Sequence, residues 1–203
     1  AALATGRADR GAPVLASFLT GLRAANRAGG GSRSRVTVLG HSYGSLTAAR
    51  AAPLEPPDEL VLVGSPGVGA SRAAELGLPA EHVYVGQDER DPVANVASTP
   101  QQVLLPALGP ALGAAAPLRL LGPGPGSWFG ADPGGSGFGA RRIPADSGRQ
   151  GLAAHSAYFE PDGPALDAVA RIVLGEGEQV TRPPHELRAP GRTPVPGQGA
   201  DAP

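Results

Sequence analysis

Three residues far apart in the chain have the types and the order needed for nucleophilic catalysis: Ser42, Asp91 and His155. A serine hydroxyl is a poor nucleophile until a base takes its proton. A histidine is suited to that task, and a carboxylate fixes its tautomer and stabilises the imidazolium that forms. Ser42 is the centre of Gly40-His41-Ser42-Tyr43-Gly44, a G-x-S-x-G pattern that places a serine on a sharp strand-to-helix turn. The order Ser, then Asp or Glu, then His is the order that goes with such a turn. Gly40 and Gly44 are small where strand and helix backbones must approach closely. The backbone N–H of Tyr43, the residue after the serine, is the expected first donor to an oxyanion.

Other residues compete for each role. The pattern is short enough to arise by chance in a glycine-rich chain, and an ordinary βα turn is the bland alternative. For the acid, Asp88 and Glu89 lie close to Asp91, and Asp132 is a further candidate. For the base, His41 adjoins the serine, so its side chain should point away from the hydroxyl. His82 begins a strand, at the wrong edge of a sheet, and His185 falls in the C-terminal tail. His155, in an expected loop before the last helix, is best placed by the geometric roles a site requires.

The elements that must position these residues are legible. Val36-Thr37-Val38-Leu39 suits a buried strand, and a helical run from Ser45 is stopped by Pro53. Before them, Pro13 can open a helix of roughly 13–28, with Val14, Leu15, Phe18, Leu22 and Ala25 on its apolar face. Glu59–Val63 reads as a second buried strand, followed by the rim loop Gly64-Ser65-Pro66-Gly67-Val68-Gly69. Its G-x-x-G-x-G order is not the G-x-G-x-x-G of a dinucleotide site. His82–Val85 is a third strand, and the charged run Asp88 to Asp91 then lies at the carboxyl edge of the sheet, where sites form in open α/β folds. Phe138–Ile143 is a weak strand candidate, and Pro164 opens a last helix that Gly175 ends.

Composition bounds the rest. A chain of 203 residues is one domain or one domain plus a tail. The net charge of −1 implies no attraction to nucleic acid or a membrane surface. There is no cysteine and no lysine, so cysteine nucleophiles, thiolate metal sites, Walker lysines and Schiff bases are excluded. No cofactor and no metal set is expected. The longest apolar region, Val103–Leu121, is broken by Pro106, Pro110, Pro117 and Arg119, so no membrane span is expected. No signal-peptide pattern is visible, which slightly favours a cytoplasmic location while leaving the compartment open, as the oligomeric state is open. Residues 98–137 are too long for a simple connection and are expected to form a lid-like excursion, with Trp128 and Phe129 anchoring it or lining a pocket. Residues 181–203 are expected to be a disordered Pro/Gly-rich tail, which leaves 1–180 as the domain.

Five motifs in order carry a resemblance: V-T-V-L-G-H-S-Y-G-S, L-V-G-S-P-G-V-G, D-P-V, F-G-A-R-R-I and H-S-A-Y-F. Across roughly residues 12–175 the chain resembles the actinobacterial α/β-hydrolase family known as the domain of unknown function 1023. The resemblance implies an α/β-hydrolase-like, mostly parallel sheet flanked by helices, with Ser42 as nucleophile, Asp91 as acid and His155 as base. One departure stands out. Only about 35 residues precede the strand leading to Ser42, where this fold normally has several strands and the second oxyanion donor. The expectation is therefore an N-terminally truncated α/β-hydrolase whose first strand presents an unpaired edge.

The leading expectation is a serine hydrolase that cleaves an ester or similar acyl bond of a small-molecule substrate through an acyl-enzyme. The alternative is a non-catalytic α/β-hydrolase-like module that binds a ligand or partner. Convergence of Asp91 and His155 on Ser42 discriminates between them.

Overall fold

The computed structural model describes residues 2–32, 34–97 and 129–180, without the side chains of residues 2–4, 96 and 97. Trp128, residues 98–128 of the expected excursion, His185 and the expected tail lie outside the described residues. Helix α1 (Ala2–Ala28) leads to strand β1 (Thr37–His41) and helix α2 (Tyr43–Ala51). Strands β2 (Glu59–Val63), β3 (Val83–Gly86) and β4 (Arg141–Ile143) follow, then the short helix α3 (Leu152–Ser156) and helix α4 (Pro164–Val173). The sheet runs β1-β2-β3-β4, every pair parallel.

Strands β2 and β3 are apolar along their length because both of their faces are covered, as the interior of a parallel sheet requires. All five residues of β2 are buried. Leu60 and Leu62 pack with Val83 and Val85 against Ala48, Ala49 and Ala52 at one face. Val61, Val63 and Tyr84 pack against Ala165, Ala168, Val169 and Ile172 at the other. Glu59 is a buried carboxylate at the amino end of β2, held by Arg35 and by His82 Nδ1 at 3.0 Å. His82 is thus spoken for at the edge of the sheet away from Ser42.

The register decides where chemistry can occur. His41 pairs with Val63, Val63 with Gly86, and Gly86 with Ile143. All four strands therefore end level. The ladder continues one step beyond: Ser42 N–H donates to Val63 O at 3.0 Å, and Gly64 N–H to Gly86 O at 3.1 Å. Ser42, Gly64 and the loop after β3 meet along one carboxyl edge.

Four expectations need correction. Helix α1 starts at Ala2, not at Pro13, which lies inside it; the Ala-, Leu- and Arg-containing residues before Pro13 are themselves good helix formers. Its buried face is Ala8, Ala12, Ala16 and Leu19, whereas Val14 and Phe18 are 69% and 63% exposed. Small residues let α1 approach α2 closely: a Cβ on Gly11 would already meet Thr47 Cγ2 at 3.1 Å. Helix α2 begins at Tyr43, not Ser45, and His155 lies on α3 rather than in a loop. Among the described residues no strand pairs with the other edge of β1, and Leu39 is half exposed there.

The reassigned face of α1 is testable by urea denaturation. Leu19→Ala should cost about 2–5 kcal/mol, and Phe18→Ser should stay within about 0.5 kcal/mol of the parent. Equal losses at both positions would return the core-facing stripe to the bulky residues.

Candidate active site

Ser42 occupies a backbone conformation that L-residues avoid, φ 54° and ψ −130°. The turn is held there by its neighbours. A Cβ on Gly40 would lie 2.6 Å from the Ser45 Cα, so only glycine lets the strand and the helix pass this closely. Ser45, fully buried, donates its hydroxyl to the Ser42 carbonyl at 2.6 Å. That donation leaves the Ser45 oxygen to accept from Ser65 at 2.6 Å, while Ser65 Oγ accepts the Gly67 N–H at 3.2 Å. The chain of hydroxyls ties the turn to the loop after β2.

The strained turn aims Ser42 Oγ at His155 Nε2, 2.9 Å away. His155 Nδ1 lies 2.8 Å from Asp91 Oδ2. An ionised carboxylate only accepts, so Nδ1 carries the proton and Nε2 is the free acceptor for the serine hydroxyl. Asp91 has no exposure to solvent. Its Oδ1 accepts the Val93 N–H at 2.8 Å, and its Oδ2 also accepts the Tyr158 hydroxyl at 2.7 Å. Burial pushes the Asp91 carboxyl up, but the hydrogen bonds from His155 and Tyr158 outweigh it, and the group lies below the usual carboxylate range.

The rival acids have other partners. Asp88 accepts from Arg90 N–H through Oδ1 and from the Ser147 N–H and hydroxyl through Oδ2. Asp132 accepts the N–H of Gly134, and Glu89 is exposed. Among the described residues, no group of three or more His, Asp or Glu could hold a metal ion, and no helix is long and apolar enough to cross a membrane.

Two residues at the site escaped the sequence reading. His41 does turn away from the serine hydroxyl, but toward a purpose: its Nε2–H donates to the His155 carbonyl at 2.8 Å, and the two rings lie 4.7 Å apart. Burial pulls His41 below the ordinary 6.5, against the hydrogen bond to that carbonyl. Tyr158 is the second. Its hydroxyl accepts the Asp88 N–H at 3.1 Å while donating to Asp91, and burial drives its pKa far up. The spacing of His155 and Tyr158, three residues apart in consecutive turns, was the one local signal available. Phe129, 8% exposed, packs edge-on to Tyr43 with centroids 6.0 Å apart, and so anchors its segment.

This geometry frames the similarity to known proteins. Residues 1–100 match the family model described as "Alpha/beta hydrolase". With the level parallel sheet and the strand–serine–helix turn, that decides the architecture. The fold is an α/β-hydrolase fold. The match supports a hydrolase-type enzyme in general. The chain is also 35% identical over 154 residues to uncharacterized proteins of Mycobacterium tuberculosis strains CDC 1551 and H37Rv, an alignment that covers 73% of this chain and 22% of each relative. An uncharacterized protein of Mycobacterium bovis is 38% identical over 65 residues, 32% of this chain and 24% of that protein. The chain thus spans about a fifth of the length of the first two. No solved structure is significantly similar to it.

Gly64 offers a test of how tightly this site is packed. Its φ is +58°, and a Cβ there would meet Tyr158 Cε2 at 2.8 Å, Asp91 Oδ2 at 3.1 Å and His155 Cε1 at 3.2 Å. Gly64→Ala should therefore cost about 1–3 kcal/mol, read by denaturant midpoint. Acid titration gives a second test. The folded-state values of His41 and Asp91 are both depressed, so each contributes stability that is present above its ordinary value and lost as pH falls through the folded one. Stability should decline in two stages, first below pH 6.5 and then below 3.8. His41→Gln should remove the first stage and leave the second.

Proposed function

We propose that the protein is a serine hydrolase that cleaves an ester or similar acyl bond of a small molecule. The observation that carries this reading is the unbroken run of hydrogen bonds from Ser42 Oγ through His155 to the buried Asp91, at 2.9 and 2.8 Å. A nucleophile, a base and an orienting carboxylate meet in the geometry that such chemistry requires. A non-catalytic binding module has no need of that alignment.

In the first step Ser42 Oγ attacks the carbonyl carbon while His155 Nε2 takes the hydroxyl proton. Asp91 holds the imidazolium by its Nδ1–H and remains ionised. Negative charge gathers on the former carbonyl oxygen. Tyr43 opens α2, so its N–H stands at the positive end of that helix, where an oxyanion is favoured. The carbon–leaving-group bond then breaks, and the leaving group departs with the proton from His155. Water, deprotonated by His155, attacks the acyl-enzyme, and the acid is released as Ser42 recovers its proton. Each part depends on the strand ends: Ser42 follows β1, Asp91 follows β3, and His155 follows β4.

Incubation of the full chain with a fluorophosphonate should yield one covalent adduct on Ser42, located by peptide mass spectrometry. Ser42→Ala should abolish the adduct, and Asp91→Asn should slow its formation about 10³–10⁴-fold by favouring the wrong tautomer of His155. A folded chain that stays unlabelled sinks the reading.

A further inference from the structure

We propose that Tyr158 is a positioning residue of this site: it turns the Asp91 carboxylate toward His155 and limits how strongly that carboxylate holds a proton on the imidazole. The proposal rests on the serine-hydrolase reading above and assigns to it the residue that sets its working pH.

The hydroxyl's direction is fixed by what surrounds it. A phenol has one proton to give and lone pairs to accept with. The Asp88 N–H points at the Tyr158 oxygen from 3.1 Å, so an acceptor position is taken. The proton is left for Asp91 Oδ2, at 2.7 Å, and a carboxylate there can only accept it. Tyr158 is buried, 2% exposed, so water does not compete for either bond.

The same carboxylate oxygen accepts from His155 Nδ1. Two donors on one oxygen share its charge. If Tyr158 is removed, Oδ2 concentrates its charge on His155, and the imidazolium is held more strongly. A base that holds its proton more strongly requires a higher pH before it is free to act on Ser42. The tyrosine also opposes rotation of the carboxylate. Oδ1 is pinned by the Val93 N–H at 2.8 Å, and Tyr158 pins Oδ2 at 2.7 Å. The base and its regulator belong to one short segment, α3 and the turn after it, Ala157–Phe159.

The other titratable groups that face His155 do not supply this control. Ser42 is the partner at Nε2. His41, from the end of β1, reaches the His155 carbonyl and not its ring nitrogens. Asp88, from the loop after β3, spends its carboxylate on Arg90 and Ser147 and bonds to the site through its backbone N–H on Tyr158. Tyr158 alone among the described residues shares an oxygen with the imidazole.

The test is the pH dependence of Ser42 labelling by the fluorophosphonate, which requires no knowledge of the substrate. It compares the full-length parent, Tyr158→Phe and Tyr158→3-fluorotyrosine, each checked for folding by circular dichroism. In Tyr158→Phe the acid limb of the labelling rate should move up by about half to one pH unit, roughly half of the ~1–2 units that one hydrogen bond to a charged group is worth, because the loss reaches His155 only through the shared oxygen. 3-Fluorotyrosine is a stronger donor of nearly the same size, and should move the limb the opposite way, by a few tenths of a unit at most. That variant keeps the test open if the phenylalanine variant does not fold. Limbs that stay in place, or a rate in Tyr158→Phe that falls equally at every pH, would make the tyrosine structural and overturn the proposal alone. Absence of labelling in the folded parent overturns the serine-hydrolase reading, and the proposal with it.

Discussion

The interaction on which the rest depends is the burial of a negative charge. Asp91 has no solvent contact, and removing a carboxylate from water costs several kcal/mol unless donors replace the water. Among the donors the fold supplies are the Val93 N–H, His155 and Tyr158. Two of these come from one short segment, 155–158, which therefore cannot drift without stranding the charge. The loop that carries Asp91 is fixed in turn, because Asp88 grips Ser147 with both a backbone and a side-chain bond. The charge is thus a constraint on three connections at once: those after β3, after β4 and around α3. A site organised this way is held in place by the penalty for disorganising it.

A second constraint is steric, and it acts through glycine. Gly40 lets the backbone of β1 pass the start of α2, and Gly64 lets the loop after β2 press against Asp91, His155 and Tyr158 together. The level register of the parallel strands makes both necessary, since it brings the turns after β1 and β2 side by side above the sheet. The left-handed φ of Ser42 is the strain that remains. Such strain persists where the surroundings over-determine it. Here the hydroxyl chain from Ser65 through Ser45 to the Ser42 carbonyl does so.

What could be read from the sequence follows from which forces are local. A parallel strand buried on both faces announces itself as a run such as Leu60-Val61-Leu62-Val63, and β2 and β3 were legible for that reason; β1 was legible from the strand–serine–helix turn it feeds. Ser42, Asp91 and His155 could be named because chain order around a strand–serine–helix turn is itself a rule, and the structure brings those three together. The face of α1 was not legible. The helical period offers two stripes, and bulk favoured Val14 and Phe18 as core, whereas close helix–helix packing selects small residues and chose Ala8, Ala12 and Ala16. His41 and Tyr158 were hidden for a different reason. Each acts through a hydrogen bond to a residue distant in sequence, 114 and 67 positions away, and no local pattern encodes such a partner.

The charge states of these groups form a consistent electrostatic arrangement. Asp91 lies below the ordinary carboxylate range and His41 below the ordinary histidine value, while Tyr158 lies far above the ordinary tyrosine value. Near neutrality the carboxylate is charged, and both the ring beside His155 and the phenol remain neutral. A cation on His41, 4.7 Å from the His155 ring by centroids, would repel the imidazolium that the proposed reaction forms there. An anion on Tyr158 would repel Asp91. Burial removes both options, because a low-dielectric site disfavours every charge that lacks a partner. The charge retained against the His155 ring is that of Asp91, which has donors on both oxygens, and His155 meets it through Nδ1 while Nε2 meets Ser42 Oγ. In the proposed reaction, the Asp91 charge behind His155 favours proton transfer from Ser42. The neutrality of the two residues beside it is therefore as much a part of the site as the charge itself.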